Sequence, residues 1–301
     1  LEYKGEIERS NKLYLECIDF KKIDIDKKIE VNVNLLINYL LTGNFEKVKV
    51  NIIKNKNLID EAIIDQNKDA KIQKSTISYI NFIEKLIPLL KPASQEEKQK
   101  KIPHFGESHC LSFAHQTLSL SSKSNKIQPV LITGAKAWHF CKSSPNKWKD
   151  SLNEQLKNHN YSEEVFISFG EIDCRKNEGI LAYSEKYKKN EIKVCQETIQ
   201  GYINYMESIL SKFYKTRYYF GIPAPVITNE INDKKDDKRK NMIEAYNKIL
   251  KKEVIENKAV FLDVYSLTVN IRKENNNRFM ADPIHLSPKS LPILFEKHMY
   301  K

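Results

Sequence analysis

The chain has 301 residues, of which 41% are hydrophobic and 30% charged, and its 50 Lys and Arg against 39 Asp and Glu give a formal net charge of +11. This composition is typical of a globular protein and excludes a collagen-like, largely disordered or coiled-coil chain. No apolar run reaches the roughly 18 residues that a transmembrane helix needs, so we expect no membrane span. The length favours about two domains.

In chain order, the first third predicts helices. Residues 31–41 carry apolar side chains at the i, i+3, i+4, i+7 spacing of one helix face. Gly43 then supplies a turn, and a second helix is expected over residues 45–55. A third begins at Ser75 or Thr76 and should end or kink at Pro88.

The turn Leu41-Thr-Gly-Asn-Phe-Glu-Lys47 between two of these helices resembles part of a tetratricopeptide repeat. An ordinary helical bundle is the alternative. We expect residues 1–98 to form a helical domain that offers a docking surface to a protein partner. A polar, charged segment over residues 93–101 has the composition of a linker to a second domain, residues 99–301.

The second domain alternates short apolar runs with helical patterns. Five strands are expected, over residues 102–105, 130–133, 165–169, 218–222 and 259–264, and three helices over residues 147–157, 194–215 and 238–257. Such alternation predicts an α/β fold with a parallel sheet covered on both faces. Pro103 lacks an N–H group, so we expect the first strand to be an edge strand of the sheet or Pro103 to lie at a strand end.

Two segments carry residues typical of nucleophilic catalysis. Ser108, in Gly106-Glu-Ser-His109, follows the first strand and precedes a helix expected over residues 110–118, which exposes its hydroxyl beside a helix N-terminus. Asp282 stands three residues before His285, so its carboxylate can accept the Nδ1–H of the imidazole and leave Nε2 to take a proton from a serine. The alternatives are a helix-capping Ser and an Asp-Pro turn with a surface His.

Two further strands end in candidate site residues. Gly134 follows the second strand and allows a ligand to approach its N–H group closely. Glu171, Asp173 and Arg175 follow the third strand. Ionisable groups at the end of a buried strand are costly, so these three either pair for structural support or bind the substrate.

The order of these four segments resembles the SGNH/GDSL hydrolase family over about residues 102–300. The resemblance implies a flavodoxin-like three-layer α/β sandwich, Ser108 as nucleophile, Asp282 and His285 as its partners, and the N–H groups of Ser108 and Gly134 as oxyanion donors. Phe169-Gly-Glu-Ile-Asp-Cys-Arg175 looks like a subgroup tied to bacterial surface-glycan biosynthesis. The activity implied is a serine esterase or O-acyltransferase acting on an O-acyl ester. We expect acetyl as the acyl group and a carbohydrate as the molecule that carries it. The resemblance implies no cofactor.

Two positions depart from the family pattern. Glu107 stands where Asp is usual, and Ile172 stands where the family has an Asn that donates to the oxyanion. Loss of one such donor typically costs about 10²–10³ in rate. Arg175 is a candidate replacement. The alternative hypothesis is therefore a catalytically silent domain that binds a glycan or a protein.

Other classes fit the sequence less well. An α/β-hydrolase elbow needs Gly where Cys110 stands, and its acid usually lies far from its His. The spacing of His104, His109, Cys110 and His115 matches no familiar zinc pattern, so we expect no metal.

Charge and cysteine content bear on partners and location. The lysines are spread along the chain among acids, which predicts a solvated surface and no nucleic-acid partner; nucleic-acid association is the remote alternative. Five scattered cysteines without a CxxC pattern predict reduced thiols and a cytoplasmic location. Because the first residue is Leu, we expect further sequence upstream.

Overall fold

The computed structural model describes residues 6–18, 23–64, 74–91, 99–120, 123–157, 163–227 and 234–299. The chain divides into two compact units, Leu1–Pro92 and Ala93–Lys301. Within the described ranges, no helix combines the length and the apolar character needed to cross a bilayer.

The first unit is helical over its described residues. Its helices are α1 (Ile7–Ile18), α2 (Ile25–Leu41), α3 (Phe45–Ile64) and α4 (Lys74–Leu86). Helix α2 packs against the other three and buries Leu36 and Leu40 completely. Asp24 caps the start of α2, because its side chain accepts the Lys27 N–H at 2.7 Å. This backbone donor lies in the first turn and has no acceptor within the helix. The tetratricopeptide-like character of these helices stays a prediction.

The second unit is built on a six-stranded, mostly parallel sheet. Its strands are β1 (Lys100–Gly106), β2 (Thr117–Leu120), β3 (Lys123–Leu131), β4 (Glu164–Ser168), β5 (Thr216–Phe220) and β6 (Val260–Leu262), in the order β2-β3-β1-β4-β5-β6. Each of the five expected strands overlaps an observed one, and these five pair in parallel. The strand expected over residues 130–133 is the end of β3, which begins seven residues earlier at Lys123. Strand β2, which was not expected, is antiparallel to β3, so the sheet is mostly parallel with one antiparallel edge strand.

The helix expected over residues 110–118 was wrong. The chain forms a short 3-10 helix, Ser108–Phe113, and then enters β2. Leu118 and Leu120 are buried while Thr117 and Ser119 are exposed, which is the two-residue period of a strand. Four residues show only two periods of this alternation, so the sequence pattern does not distinguish this short strand from part of a helix.

The position of Pro103 differs from the expected sheet edge. Strand β1 lies inside the sheet, between β3 and β4. Pro103 pairs with Gln128 of β3, whereas pairing with β4 begins only at His104, opposite Phe166. At Pro103 the sheet therefore has a neighbouring strand on one side only, and the missing N–H group interrupts no ladder on the β4 side.

Helices cover both faces of the sheet. The seven helices of this unit are α5 (Ala137–Cys141), α6 (Lys147–Lys157), α7 (Gly179–Tyr187), α8 (Glu191–Leu210), α9 (Lys234–Glu256), α10 (Val264–Thr268) and α11 (Leu291–Met299), counted over the described residues. Val165 and Ile167 of β4 share one apolar core with Ile203 of α8. Phe166, which lies between them in sequence, packs in a second core with Phe295 of α11, as the alternation of side chains along a strand requires.

Candidate active site

Ser108 lies at the carboxyl end of β1, at the first position of the 3-10 helix. Gly106 allows the end of β1 to lie close against β4, because a Cβ at this residue would lie 2.3 Å from the Oγ of Ser168 in the neighbouring strand. Glu107 precedes the 3-10 helix, and its carboxylate accepts the backbone N–H of His109 at 3.3 Å. The Ser108 hydroxyl donates to Oε2 of Glu107 at 2.8 Å.

His285 reaches Ser108 from the far end of this unit. Its Nε2 lies 2.8 Å from the Ser108 Oγ, and its Nδ1 lies 2.9 Å from Oδ2 of Asp282. Asp282 also accepts the backbone N–H groups of Ile284 at 2.8 Å and His285 at 2.7 Å, which fixes the turn that carries both side chains. The structure therefore brings Ser108, His285 and Asp282 together in one hydrogen-bonded row.

The charge state of Asp282 suits its position beside the imidazole. Burial by itself raises the pKa of this carboxyl, but its hydrogen bond and charge interaction with His285, together with the N–H groups of the turn, hold the pKa below its ordinary value. An ionised Asp282 accepts a hydrogen bond from Nδ1–H and so directs Nε2 of the ring toward the Ser108 hydroxyl.

Gly134 lies in the turn that follows β3, with φ at 66°. The Ile132 N–H donates to the Gly106 carbonyl at 2.8 Å, so the end of β3 is held beside the end of β1. Asp173 holds the next part of this turn, because its two carboxylate oxygens accept the N–H groups of Ala137 at 2.8 Å and Trp138 at 3.1 Å. Two strand ends that carry predicted residues thus hold each other in place.

Asp173 is completely buried, and its position has an electrostatic cost. Burial raises its pKa from 3.8 to about 7, although the N–H groups of Trp138 and Ala137 favour the carboxylate. A group of this kind changes its protonation near neutral pH.

Glu171 and Arg175 form an ion pair. The Arg175 Nη2 lies 2.7 Å from Glu171 Oε2, and its Nη1 lies 3.1 Å from Glu178. Arg239 approaches the other Glu171 oxygen at 3.4 Å. Burial by itself raises the pKa of Glu171, but Arg175 most of all, with His109 and Arg239, holds the pKa below its ordinary value. Of the two hypotheses for these residues, the geometry favours structural support, with Arg175 serving Glu171.

Ile172 offers no polar side chain at the position where the sequence pattern that this chain resembles has an Asn. Ile172 is buried at the start of a short 3-10 helix, Ile172–Cys174. Arg175, the candidate replacement, directs its guanidinium to the two glutamates instead. None of the residues selected from the sequence therefore provides a side-chain hydrogen-bond donor for the oxyanion.

His109 also lies near the row formed by Ser108, His285 and Asp282. The sequence suggests it only as a metal ligand, and its spacing matches no familiar zinc pattern. It is buried, and its ring centroid lies 4.9 Å from that of His285. Burial lowers its pKa, and the charge of Glu107 opposes this change. In the described part of the chain, no group of three or more His, Cys, Asp or Glu side chains is arranged to hold a metal ion.

A second Ser–His pair lies deeper in the sheet. Nε2 of His104 is 2.9 Å from the Oγ of Ser168, and burial, with a smaller contribution from His109, lowers the pKa of His104 to about 3. Nδ1 of His104 has no hydrogen-bond partner among the described residues. This imidazole therefore lacks the carboxylate that orients His285.

No family model matches the sequence, and no curated protein is similar to it. Among solved structures, the chain is similar to a lipase/acylhydrolase from Enterococcus faecalis, with a TM-score of 0.40 and 15% identity over 66% of this chain and 94% of that one. It is also similar to a catalytic mutant of an acetylxylan esterase from Geobacillus stearothermophilus, with a TM-score of 0.43 and 15% identity over 70% and 97% of the two chains. A phospholipase A1 from Streptomyces albidoflavus has a TM-score of 0.36 and 12% identity over 66% and 99%.

Proposed function

We propose that this protein is a serine esterase or O-acyltransferase of the SGNH type that acts on an O-acyl ester. The observation that carries the proposal is the row formed by Ser108, His285 and Asp282, with 2.8 Å between the first two and 2.9 Å between the last two. An alcohol, an imidazole and a carboxylate in this order are the parts of an acyl-transfer triad.

In the proposed mechanism, the Ser108 Oγ attacks the acyl carbonyl carbon while His285 Nε2 takes the hydroxyl proton. Asp282 holds the Nδ1–H and stabilises the imidazolium that forms. His285 then returns the proton to the departing alcohol oxygen, which leaves the acyl group on Ser108. Water, or the hydroxyl of an acceptor, then attacks the carbonyl carbon of this acyl-enzyme while His285 Nε2 takes its proton. The acyl–Oγ bond breaks, and His285 returns the proton to the Ser108 Oγ.

The developing oxyanion has two proposed backbone donors, the N–H groups of Ser108 and Gly134. Neither donates to another acceptor in the parts of the chain that the structure describes. Ile172 supplies no third donor, so we expect turnover to be roughly 10²–10³ slower than with the side-chain donor present. The mechanism uses no metal and no organic cofactor.

The wider assignment rests on several coarser features. The parallel strands follow the order β3-β1-β4-β5-β6, which is the order of flavodoxin-like sheets, whose ligands bind at the carboxyl ends of the strands. A carbohydrate as the alcohol part and an acetyl group as the acyl part follow from the resemblance of residues 169–175. We also propose a cytoplasmic location, since the cysteines are free, and a protein-docking role for the N-terminal helices.

Labelling with a fluorophosphonate probe and turnover of p-nitrophenyl acetate test the proposal. Ser108→Ala and His285→Ala should each abolish labelling and turnover while circular dichroism shows a folded chain. Ser168→Ala is the matched control, because it removes the hydroxyl of the other buried Ser–His pair, and it should keep the wild-type rate. Labelling that survives in Ser108→Ala would refute the mechanism.

The missing donor at Ile172 favours a second candidate, a catalytically silent domain that binds a glycan or a partner protein. A wild-type protein that neither reacts with the probe nor hydrolyses acetyl esters, yet is folded, would support this candidate over the enzyme.

A further inference from the structure

The Ser108 hydroxyl has two acceptors at the same distance. Its Oγ lies 2.8 Å from Glu107 Oε2 and 2.8 Å from His285 Nε2, so the hydroxyl is within donating distance of both. A serine hydroxyl carries one proton and can donate one hydrogen bond at a time. While the proton points to Glu107, it does not point to the nitrogen that must take it during attack.

The surroundings of Glu107 make it a strong competitor. Its side chain is 2% exposed, so bulk water does not screen or replace its contacts. A carboxylate accepts hydrogen bonds roughly twice as strongly as a neutral acceptor. Its nearest basic neighbour is the buried His109, whose Nε2 lies 3.9 Å from Oε1 and whose pKa burial lowers. The charge of Glu107 also helps to raise the pKa of Arg175.

The length of the side chain matters as well. An Asp at this position would be shorter by one methylene group, or about 1.5 Å of reach. The additional methylene in Glu107 extends the reach of its carboxylate toward the hydroxyl of the next residue.

We infer that Glu107 is the resting acceptor of the Ser108 proton and so restrains the nucleophile. This inference rests on the proposed function. Before attack, the hydroxyl rotates about its Cβ–Oγ bond from Glu107 to His285; Nε2 then takes the proton while Oγ forms the bond to the acyl carbon. The carboxylate of Glu107 keeps its charge and gains no proton in this step.

Glu107→Asp tests the inference because it retains the charge and shortens the reach. The measurement is the second-order rate constant for fluorophosphonate labelling of Ser108, which needs no knowledge of the natural substrate. We expect labelling about tenfold faster than in the wild-type protein, since a net hydrogen bond to a charged group is lost from the resting state only. Glu107→Gln keeps the size with a weaker, neutral acceptor, and we expect a smaller increase.

Two further measurements separate this effect from a general change in structure. Glu178→Asp shortens another carboxylate, one that contacts Arg175 and Lys136 and not Ser108, and it should label at the wild-type rate. Nitrogen-15 NMR of His285 should show that Nε2 gains a hydrogen bond in Glu107→Asp, a change that a merely structural role for Glu107 does not produce.

The outcomes are distinguishable. A labelled wild-type protein with Glu107→Asp faster supports the inference. A labelled wild-type protein with Glu107→Asp equal or slower overturns it and leaves the esterase proposal intact. If neither protein is labelled at any pH while both are folded, the proposed function fails and the inference fails with it.

Discussion

The imidazole of His285 meets the hydroxyl of Ser108 at 2.8 Å although 177 positions of sequence separate them. The two residues belong to different elements, one at the end of β1 and the other in the turn before α11. Their alignment depends on the Asp282 carboxylate, which holds both the ring and the backbone of that turn. The proposed chemistry therefore depends on one carboxylate that acts on geometry as well as on charge.

Asp282→Asn separates these two roles. The amide oxygen can still accept the N–H groups of Ile284 and His285. The negative charge is lost, and the amide nitrogen that replaces Oδ2 is a donor that favours an unprotonated Nδ1. His285 then favours the tautomer with a proton on Nε2, and we expect kcat to fall by about 10³–10⁴ with little loss of stability. Acetyl-ester kinetics and thermal melting measure the two effects. Asp282→Ala, which also loses the turn contacts, should lower the melting temperature in addition. A kcat within tenfold of wild type in Asp282→Asn would contradict this role.

The buried Asp173 predicts a pH dependence of stability. Its pKa is about 7 in the folded protein against an ordinary value of 3.8, so between these values the folded state binds more protons than the unfolded state. The free energy of unfolding should therefore fall as pH rises from about 4 to 7, by at most about 4 kcal/mol from this group. Urea unfolding at pH 5 and pH 8 measures the change, and Asp173→Asn should show a smaller one. Equal changes in the two proteins would exclude Asp173 as the cause.

Gly134 and Gly170 form a matched pair for testing backbone strain. Both have positive φ, but a Cβ on Gly134 meets nothing within 4 Å, whereas one on Gly170 would lie 2.2 Å from the Tyr246 hydroxyl oxygen. We expect Gly134→Ala to cost about 1–2 kcal/mol from the left-handed conformation alone. Gly170→Ala should cost about 1–3 kcal/mol more because of overpacking. Chemical denaturation gives both values, and equal losses would show that the space around these residues does not decide the outcome.

The Glu171–Arg175 pair predicts non-additive mutational effects. Arg175→Ala leaves a buried carboxylate with a weaker partner, and we expect a loss of about 2 kcal/mol. This lies below the roughly 3–5 kcal/mol of a fully buried pair, because the Arg175 side chain is 35% exposed. Adding Glu171→Gln to this variant should recover part of the loss. A double-mutant cycle in urea measures the coupling, and simple additivity would contradict the pairing.

The strands that carry the site were predictable because each is a short apolar run followed by polar residues, as for residues 165–169 before Glu171. Strand β2 was missed, since four residues hold too little periodicity, and Pro103 was misplaced because the pairing of a strand on each side depends on its neighbours. The family resemblance brings Ser108, Asp282 and His285 into one hypothesis, but it predicts no contact between Glu107 and Ser108.

The sequence alone determines the alternation of strands and helices and the residue types that can perform acyl transfer. Both can be predicted because periodicity and short motifs are local properties of the chain. The row of hydrogen bonds, the commitment of Arg175 to Glu171 and the second acceptor of the Ser108 proton were decided only by tertiary structure. These depend on distances between segments far apart in the chain, and such distances arise only when the strands pair and the cores on both faces of the sheet pack.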